Sequence, residues 1–566
     1  MEKRWIYKEA PSREAVEKLS KEININPYLS TILVQRGTTD FDSAKAYFRP
    51  SLSHLHDPLL MKDMRQAVDR MKRAIDSQER ILVYGDYDVD GTTAVALVYS
   101  YLRQFHRNCD VYIPDRHKEG YGVSRAGIEW ADENGYTLII ALDCGIKASD
   151  MVVLADHKGI DFIICDHHLP DAEIPNAVAV LDPKRNDCQY PYKELSGCAL
   201  GFKLIQAYAR QHRDEQEVYQ FLDLVAVSIA SDIVPITGEN RILTYFGLKK
   251  LNENPLPGLK ALREVSQNRS DLDVSGIVFT LGPRINAAGR VAHASAAVEL
   301  LIAETESEAM QLAGALNLNN DTRRQFDLDI TEEALSMIHN NETLRSAKST
   351  VLFKNTWHKG VIGIVAARCI EKYYRPTVIL TESNDKITGS ARSVMGFDLY
   401  EAILKCSDLL EKFGGHKYAA GLTMDKKNLA AFQQRFEEVV TAQITSEMLT
   451  PSIEIDTPIS FDAITPGFIN VLKQMAPFGP ENPKPVFEAT NVYASNSLSN
   501  FKDRHVKFTG SQEGNGTSFQ VVGFELGEHY EQLAMQTPFR MAFTIEENYY
   551  NGYTSIQLRA KDIKFD

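Results

Sequence analysis

Between residues 80 and 235, short apolar runs alternate with stretches of helical periodicity. Residues 81–84, 138–142 and 162–165 are nearly all apolar, as strands buried on both faces of a parallel sheet should be. Between the last two lies Ser149-Asp150-Met151-Val152-Val153-Leu154-Ala155, a capped helical stretch of crossover length. Strand, helix and strand in this spacing predict an α/β domain with a parallel sheet. Residues 296–345 carry only helical patterns, at 304–318 and 323–338, and read as a connector. A second α/β segment follows at about 350–447, with strands expected at 350–353, 377–380 and 387–391. After Pro451 the rhythm becomes short alternating runs (519–524, 539–545, 554–558) separated by Gly and Asn, the pattern of a small antiparallel barrel or sandwich. The first 55 residues form a helical preface, closed by Pro50 and Pro58. The expected domains are 1–55, 56–295, 296–345, 346–450 and 451–566.

Composition narrows the class. With 44% apolar and 24% charged residues among 566, the chain can bury large cores and is not disordered. Its seven cysteines are scattered and include no C-x-x-C, which excludes a zinc ribbon or disulfide framework and suits a reducing compartment. The N-terminal residues contain no apolar h-region, and no run approaches a membrane span, so a cytoplasmic protein without membrane contact is expected. The net charge of −14 argues against a broadly basic nucleic-acid surface.

The candidate chemistry lies where each expected strand ends. Residues 81–84 run into Gly85-Asp86-Tyr87-Asp88-Val89-Asp90-Gly91, 138–142 into Asp143-Cys144-Gly145, and 162–165 into Asp166-His167-His168. The apolar helix at 221–230 ends at Ser231-Asp232. Ligands of open parallel sheets bind beyond the carboxyl ends of the strands, so four clusters converge on one edge. If extended, Asp86, Asp88 and Asp90 share a face, with Gly91 turning the chain into a helix near Thr92-Thr93. One Asp-Gly after a strand is ordinary turn chemistry; four in succession are not. So many carboxylates repel one another unless cations neutralise them. Oxygen ligands with some imidazole suit Mn²⁺ or Mg²⁺, and a pair of such ions is the usual apparatus of phosphoester hydrolysis. Asp143, after the middle strand, is placed to bridge them. Of His167 and His168, one can bind metal while the other meets the scissile phosphate; spacing does not say which.

These residues resemble the DHH phosphoesterase superfamily, named for the triplet Asp166-His167-His168. Asp86 to Gly91 is similar to its first motif, Asp143-Cys144-Gly145 to its second and Ser231-Asp232 to its fourth. Further stretches resemble the branch that digests single-stranded DNA from the 5′ end. These are Ala230-Ser231-Asp232-Ile233-Val234-Pro235 with Glu239-Asn240-Arg241, and Gly282-Pro283-Arg284-Ile285-Asn286-Ala287-Ala288-Gly289-Arg290. Phe413-Gly414-Gly415-His416-Lys417-Tyr418-Ala419-Ala420-Gly421 resembles the substrate-binding DHHA1 domain. The resemblance covers about residues 60 to 560.

It implies two divalent ions, Mn²⁺ or Mg²⁺, held by Asp86, Asp88, Asp90, Asp143, His167 and Asp232. His168 then faces the phosphate and Asp166 supports it. Substrate roles fall to Arg116, Arg284, Ser390, Arg392, Gly414, Gly415 and His416. Without the resemblance, Gly414-Gly415-His416 reads as a strand–helix turn. The segment Trp357 to Ile364 could start an anion-receiving helix, although 361–367 is better read as core. The last domain is similar to an OB-fold, with Phe501, Lys502, Arg504, His505, Lys507 and Phe508, and Tyr549, Tyr550 and Tyr553, as candidate contacts. The run from Ala476 to Pro485 resembles a signature that often has Gly where Glu481 stands, a departure that touches only a turn.

The implied activity is metal-dependent hydrolysis of single-stranded DNA from the 5′ end to mononucleotides, in repair and recombination. The implied setting is a monomer working beside a helicase and a single-strand-binding protein. Alternatives are a DHH phosphodiesterase acting on oligoribonucleotides or cyclic dinucleotides and a non-enzymatic DNA-binding scaffold. Residues 351–425 hold ten Lys and Arg against eight Asp and Glu, and residues 487–566 hold seven against ten. Binding must therefore rest on a few placed cations, metals and stacking. Affinity for a labelled oligonucleotide is expected to fall with salt less steeply than for a strongly basic binder, as read from log Kd against log salt.

Overall fold

In the computed structural model the described residues are 2–565 except 117, 269, 496, 515, 551 and 552, together with the backbone but not the side chains of 549 and 550. They form two compact units: Arg49–Gln325 with Ala476–Pro483, and Met1–Phe48 with Phe326–Met475 and Lys484–Asp566. Among the described residues no helix is long and apolar enough to cross a membrane.

The chain opens with a strand, β1 (Arg4–Tyr7), before its first helices. The preface is helical over Arg13–Ile23, Pro27–Gln35 and Phe41–Phe48, as expected; only β1 departs from it, because four residues with two aromatics are too short to show a period and β1 finds its partner far along the chain.

The first unit is built on β2 (Ile81–Gly85), β3 (Cys109–Tyr112), β4 (Leu138–Leu142), β5 (Asp161–Cys165) and β6 (Ala179–Leu181). They are all parallel, in the order β3-β2-β4-β5-β6. The apolar runs of β2, β4 and β5 follow from their central places. Alternate residues Ile81, Val83, Ile140, Leu142 and Ile163 pack with the helices Val89–Arg103, Gly197–His212 and Leu222–Ser231. Leu82, Tyr84, Ile139, Phe162 and Ile164 pack with Arg125–Glu133 and Ser149–Asp156 on the other face. β3 and β6 escaped the sequence reading because both are short edge strands and β3 is half polar. The two connector patterns are one uninterrupted helix, Glu306–His339.

In the second unit, β7 (Thr350–Phe353), β8 (Thr377–Ser383), β9 (Lys386–Arg392), β10 (Lys412–His416) and β11 (Ala419–Met424) form a mixed sheet in the order β10-β11-β9-β8-β7. Only β7 and β8 run parallel. The stretch around Gly414-Gly415-His416 is therefore one arm of a hairpin. The turn into a helix is excluded because Lys412 to His416 pairs residue by residue with β11.

The chain continues through β12 (Ser452–Ile455), β13 (Thr457–Pro458), β14 (Phe487–Ala494), β15 (Ser499–Phe501), β16 (His505–Gln512), β17 (Ser518–Gly523), β18 (Phe539–Tyr550) and β19 (Tyr553–Phe565). Pairing runs β14-β18-β19-β17-β16 and returns from β16 to β14, closing a five-stranded barrel. Closure leaves that ring without free edges. Phe508 lies in the barrel core. Phe501 and His505 pack with the exposed Phe524, over which the Arg559 guanidinium lies at 5.2 Å. Tyr553 is exposed, whereas the side chains of Tyr549 and Tyr550 lie outside the described residues.

β1 pairs in parallel with β12. Trp5 donates its Nε1–H to Asp562 at 2.7 Å and is covered by Arg540 and Lys564, 5.2 and 5.3 Å from its ring. Trp5→Ala removes this hydrogen bond and two cation–π contacts, and is expected to cost about 1–3 kcal/mol. The check is a lower denaturation midpoint of the barrel-bearing unit.

Candidate metal centre

The carboxylates are gathered by chain ends rather than by one motif. Asp86 follows β2. Asp88 is the N-cap of the helix Val89–Arg103, its Oδ1 accepting from Gly91 N–H at 3.0 Å. That helix starts earlier than the Thr92-Thr93 expected from the sequence, because the Asp88 carboxylate caps it by accepting from the Gly91 amide. Asp86, Asp88 and Asp90 are thus not an extended run on one face. Asp90 sits within the first turn and points to the start of the helix Gly197–His212. Its oxygens accept from the amides of Gly197 (2.6 Å) and Cys198 (2.8 Å) and from the Ser228 hydroxyl (2.6 Å). Two glycines permit this closeness: a Cβ on Gly91 would meet Asp86 O at 2.4 Å, and one on Gly197 would meet Asp143 Cβ at 2.5 Å.

Asp143 follows β4 with φ +59 and sits at the centre of the cluster. Carboxylate oxygens of Asp86, Asp88 and Asp143 lie within 4.8 Å of one another, as do ligand atoms of Asp90, His167 and Asp232 and of Asp143, His167 and His168. His167 Nε2 is 3.3 Å from Asp143 Oδ1, 3.5 Å from Asp232 Oδ2 and 3.7 Å from Asp90 Oδ2. It makes no hydrogen bond to any of them, and Asp86 Oδ1 and Asp143 Oδ1 are likewise buried without a partner. Burial pushes the imidazole down to about 4, which leaves a neutral ring. Burial and neighbouring carboxylates raise Asp86 and Asp143 well above the usual range and bring Asp232 to about 8. Orphaned oxygens and a neutral, unpartnered imidazole are the donor set of a hard or borderline divalent cation. The residues fit such ions, and Asp143 belongs to two of the three groupings.

His168 is different. Its Nδ1 contacts Asp166 Oδ1 at 2.7 Å, while Tyr121 Oη lies 3.1 Å from Nε2. Asp166 also accepts the amides of Ile146, His167 and His168. Partial burial opposes the charge on His168, but the hydrogen bond to Asp166 and the surrounding carboxylates raise it to about 9. Burial works against ionisation of Asp166 too; the His168 hydrogen bond and the amides outweigh it and hold Asp166 below its ordinary value. His168 is the half-exposed cation of the pair and His167 the buried neutral ring.

Arg116 lies 4.9 Å over the ring of Tyr87. Arg284, on the helix Gly282–Val291, donates to Thr280 O at 2.6 Å and Asn317 Oδ1 at 3.0 Å. That helix runs along the centre: a Cβ on Gly282 would approach Ser231 Oγ at 3.1 Å and one on Gly289 the Tyr87 carbonyl at 2.9 Å.

In the second unit, the register aligns Gly414, Gly421 and Ser390 in one row and His416, Ala419 and Arg392 in the next but one, across β10, β11 and β9. Arg392 Nη1 donates to Ser390 Oγ at 3.1 Å. Gly415 has φ +146 and no room for a Cβ, which would lie 2.3 Å from Ala419 O. Val361, Ile362, Val365 and Ala366 are core.

The sequence reading missed Tyr121, Ser228 and the Gly197 and Cys198 amides. Tyr121 carries one signal, its flanking Gly120 and Gly122, both at positive φ; the others come from tertiary approach alone.

A β3-β2-β4-β5-β6 parallel sheet with this donor set at its carboxyl edge defines a DHH-type protein. The model of the DHH family, N-terminal domain, matches residues 80–229, that of the DHHA1 domain 346–442, and that of the RecJ OB domain 455–562. The chain is 35% identical over 569 residues to the single-stranded-DNA-specific exonuclease RecJ of Bacillus subtilis, covering 99% of this chain and 70% of that one. It is 31% identical over 573 residues to that of Salmonella typhimurium, covering 97% and 98%. The chain belongs to the RecJ family. The crystal structure of RecJ in complex with Mn²⁺ from Thermus thermophilus matches with a TM-score of 0.86 at 26% identity, over 100% of this chain and 80% of that one. A crystal structure of exonuclease RecJ bound to manganese matches at 0.61 and 30% identity, over 70% and 98%.

Because burial and neighbouring carboxylates hold Asp86, Asp143 and Asp232 above the usual carboxylate range, a binding cation has to displace protons from them. Apparent Mn²⁺ affinity is expected to rise with pH through 8, the value to which Asp232 is raised. Calorimetry in buffers of different ionisation enthalpy should register proton release near neutral pH.

Proposed function

We propose that this chain is a metal-dependent exonuclease that hydrolyses single-stranded DNA from the 5′ end to mononucleotides, in DNA repair and recombination. The observation that carries it is an intact set of divalent-metal ligands, with buried orphan atoms, in a chain that aligns with single-stranded-DNA-specific exonucleases almost from end to end.

Asp86, Asp88, Asp90, Asp143, His167 and Asp232 would hold two divalent ions, Mn²⁺ or Mg²⁺, and Asp143 belongs to more than one of the donor groupings. Bound there, the pair supplies a nucleophilic water at neutral pH and neutralises charge developing on the phosphoryl oxygens. The protein's own groups do the rest. Asp90, fixed by two helix-start amides and a hydroxyl, cannot swing away from the cluster. Asp166 fixes the ring of His168 through Nδ1, so that the Nε2–H faces outward as a charged donor to a phosphate oxygen. For that contact Tyr121 has to yield its place at Nε2. Arg116 and Arg284, and Ser390, Arg392 and His416 with the close-approach backbone of Gly414-Gly415, supply backbone and 5′-end contacts. The enzyme is proposed to act as a monomer, with a helicase and a single-strand-binding protein as partners.

The test is digestion of 5′- and 3′-labelled oligonucleotides, single-stranded and duplex, with Mn²⁺ or with chelator. Release of labelled mononucleotide from the 5′ end of single strands, abolished by chelator, is expected. Release only from the 3′ end would overturn the polarity, and preferred turnover of a dinucleotide would point to a short-substrate phosphodiesterase. Asp143→Ala is expected to lower the rate by on the order of 10³ or more while leaving DNA binding measurable by anisotropy.

A further inference from the structure

The residue after the metal-ligand candidate Asp232 carries two costs at once. Ile233 has φ +61, left-handed backbone that β-branched side chains rarely adopt, and its side chain is 65% exposed. The turn has a clear structural purpose, since the next residues go inward: Val234 and Ile236 are buried. Gly or Asn would make that turn more cheaply. The isoleucine side chain contributes nothing to the core.

The surroundings hold the strained turn in place. Pro235 O accepts from Asn240 Nδ2 at 3.0 Å and from the Tyr192 hydroxyl at 3.3 Å. Ile236 N–H donates to Pro480 O at 2.8 Å. Gly479 lies so close to Ile236 that an added Cβ would be 2.5 Å from its Cγ1. Arg241 and Asn482 both donate to Pro477 O, at 3.3 and 2.7 Å. The signature at 476–483 is thus a clasp on the Asp232 loop, and strain kept by so many restraints beside a reactive centre points to use.

Position says what that use is. Asp232 Oδ2 is 3.5 Å from His167 Nε2, and Ile233, the next residue in the chain, carries an exposed aliphatic side chain. Leu169, the residue after His168, and Tyr121, whose hydroxyl lies 3.1 Å from His168 Nε2, are exposed as well, at 71% and 58%. Carboxylates and cations suit the phosphate; an exposed aliphatic surface suits the uncharged face of a base.

We propose that Ile233 is a substrate contact, packing against the nucleobase beside the scissile phosphate. This rests on the single-strand exonuclease reading above. The test uses the full chain with Mn²⁺, comparing wild type, Ile233→Asn and Ile233→Val on a labelled single strand and on the same strand with abasic 5′-terminal positions. For Ile233→Asn the denaturation midpoint should be unchanged or higher, because Asn tolerates left-handed backbone, and calorimetric Mn²⁺ affinity should be unchanged. Its KM on the normal strand should rise about tenfold, equivalent to ~1.4 kcal/mol, with kcat little altered. Ile233→Val should stay near wild type, and the wild-type advantage over Ile233→Asn should vanish on the abasic strand. An unchanged KM, a lowered midpoint with weakened Mn²⁺ binding, or an equal penalty on the abasic strand would overturn the assignment. Absence of digestion by wild type would instead overturn the exonuclease reading and this inference with it.

Discussion

Repulsion among carboxylates is the constraint on which the rest of this molecule depends. Asp86, Asp88, Asp90, Asp143 and Asp232 are brought into one partly dry place, where burial and neighbouring carboxylates disfavour ionisation of Asp86, Asp88, Asp143 and Asp232. Such a cluster cannot form by its own attraction; it has to be imposed. A buried parallel sheet imposes it, because its strands end together and its apolar interior supplies the folding energy that the acidic edge takes away. The two helix starts at Asp88 and Gly197 add amide dipoles that partly offset the charge.

The same constraint divides the two histidines. Both follow β5, and neighbours on an extended chain face opposite ways. His167 turns inward among carboxylates yet stays neutral, since burial outweighs their pull. His168 turns outward, gains Asp166 as a partner and is charged. A buried neutral nitrogen suits a metal ligand, and an outer charged one suits a hydrogen-bond donor. The environment supports the proposed division of roles, which spacing left open.

Much of this was legible in the sequence. The central strands are uniformly apolar because both faces are covered, so β2, β4 and β5 stood out, and with them the acids at their ends. The edge strands β3 and β6 and the β1–β12 pair did not, because strands of three or four residues are too short to carry a distinctive period. Asp88 as a helix cap was readable from the Asp three residues before Gly91, but the acidic alternation suggested an extended run instead. Ser228, Tyr121 and the amides at Gly197 were invisible, since they reach the site through packing between segments distant in the chain. Glu481 illustrates a departure explained afterwards. It adopts φ +58, which is why a glycine is natural at that turn and why a glutamate can still occupy it at a cost.

Gly197 serves the acidic centre by its close approach to Asp143 as well as by its amide bond to Asp90. It bears no charge, offers no side chain and would touch neither cation nor nucleic acid, yet its missing methyl is the space in which Asp143 stands. The set of positions that selection must guard is therefore larger than the set that does chemistry. Some of its members are recognisable only as empty volume.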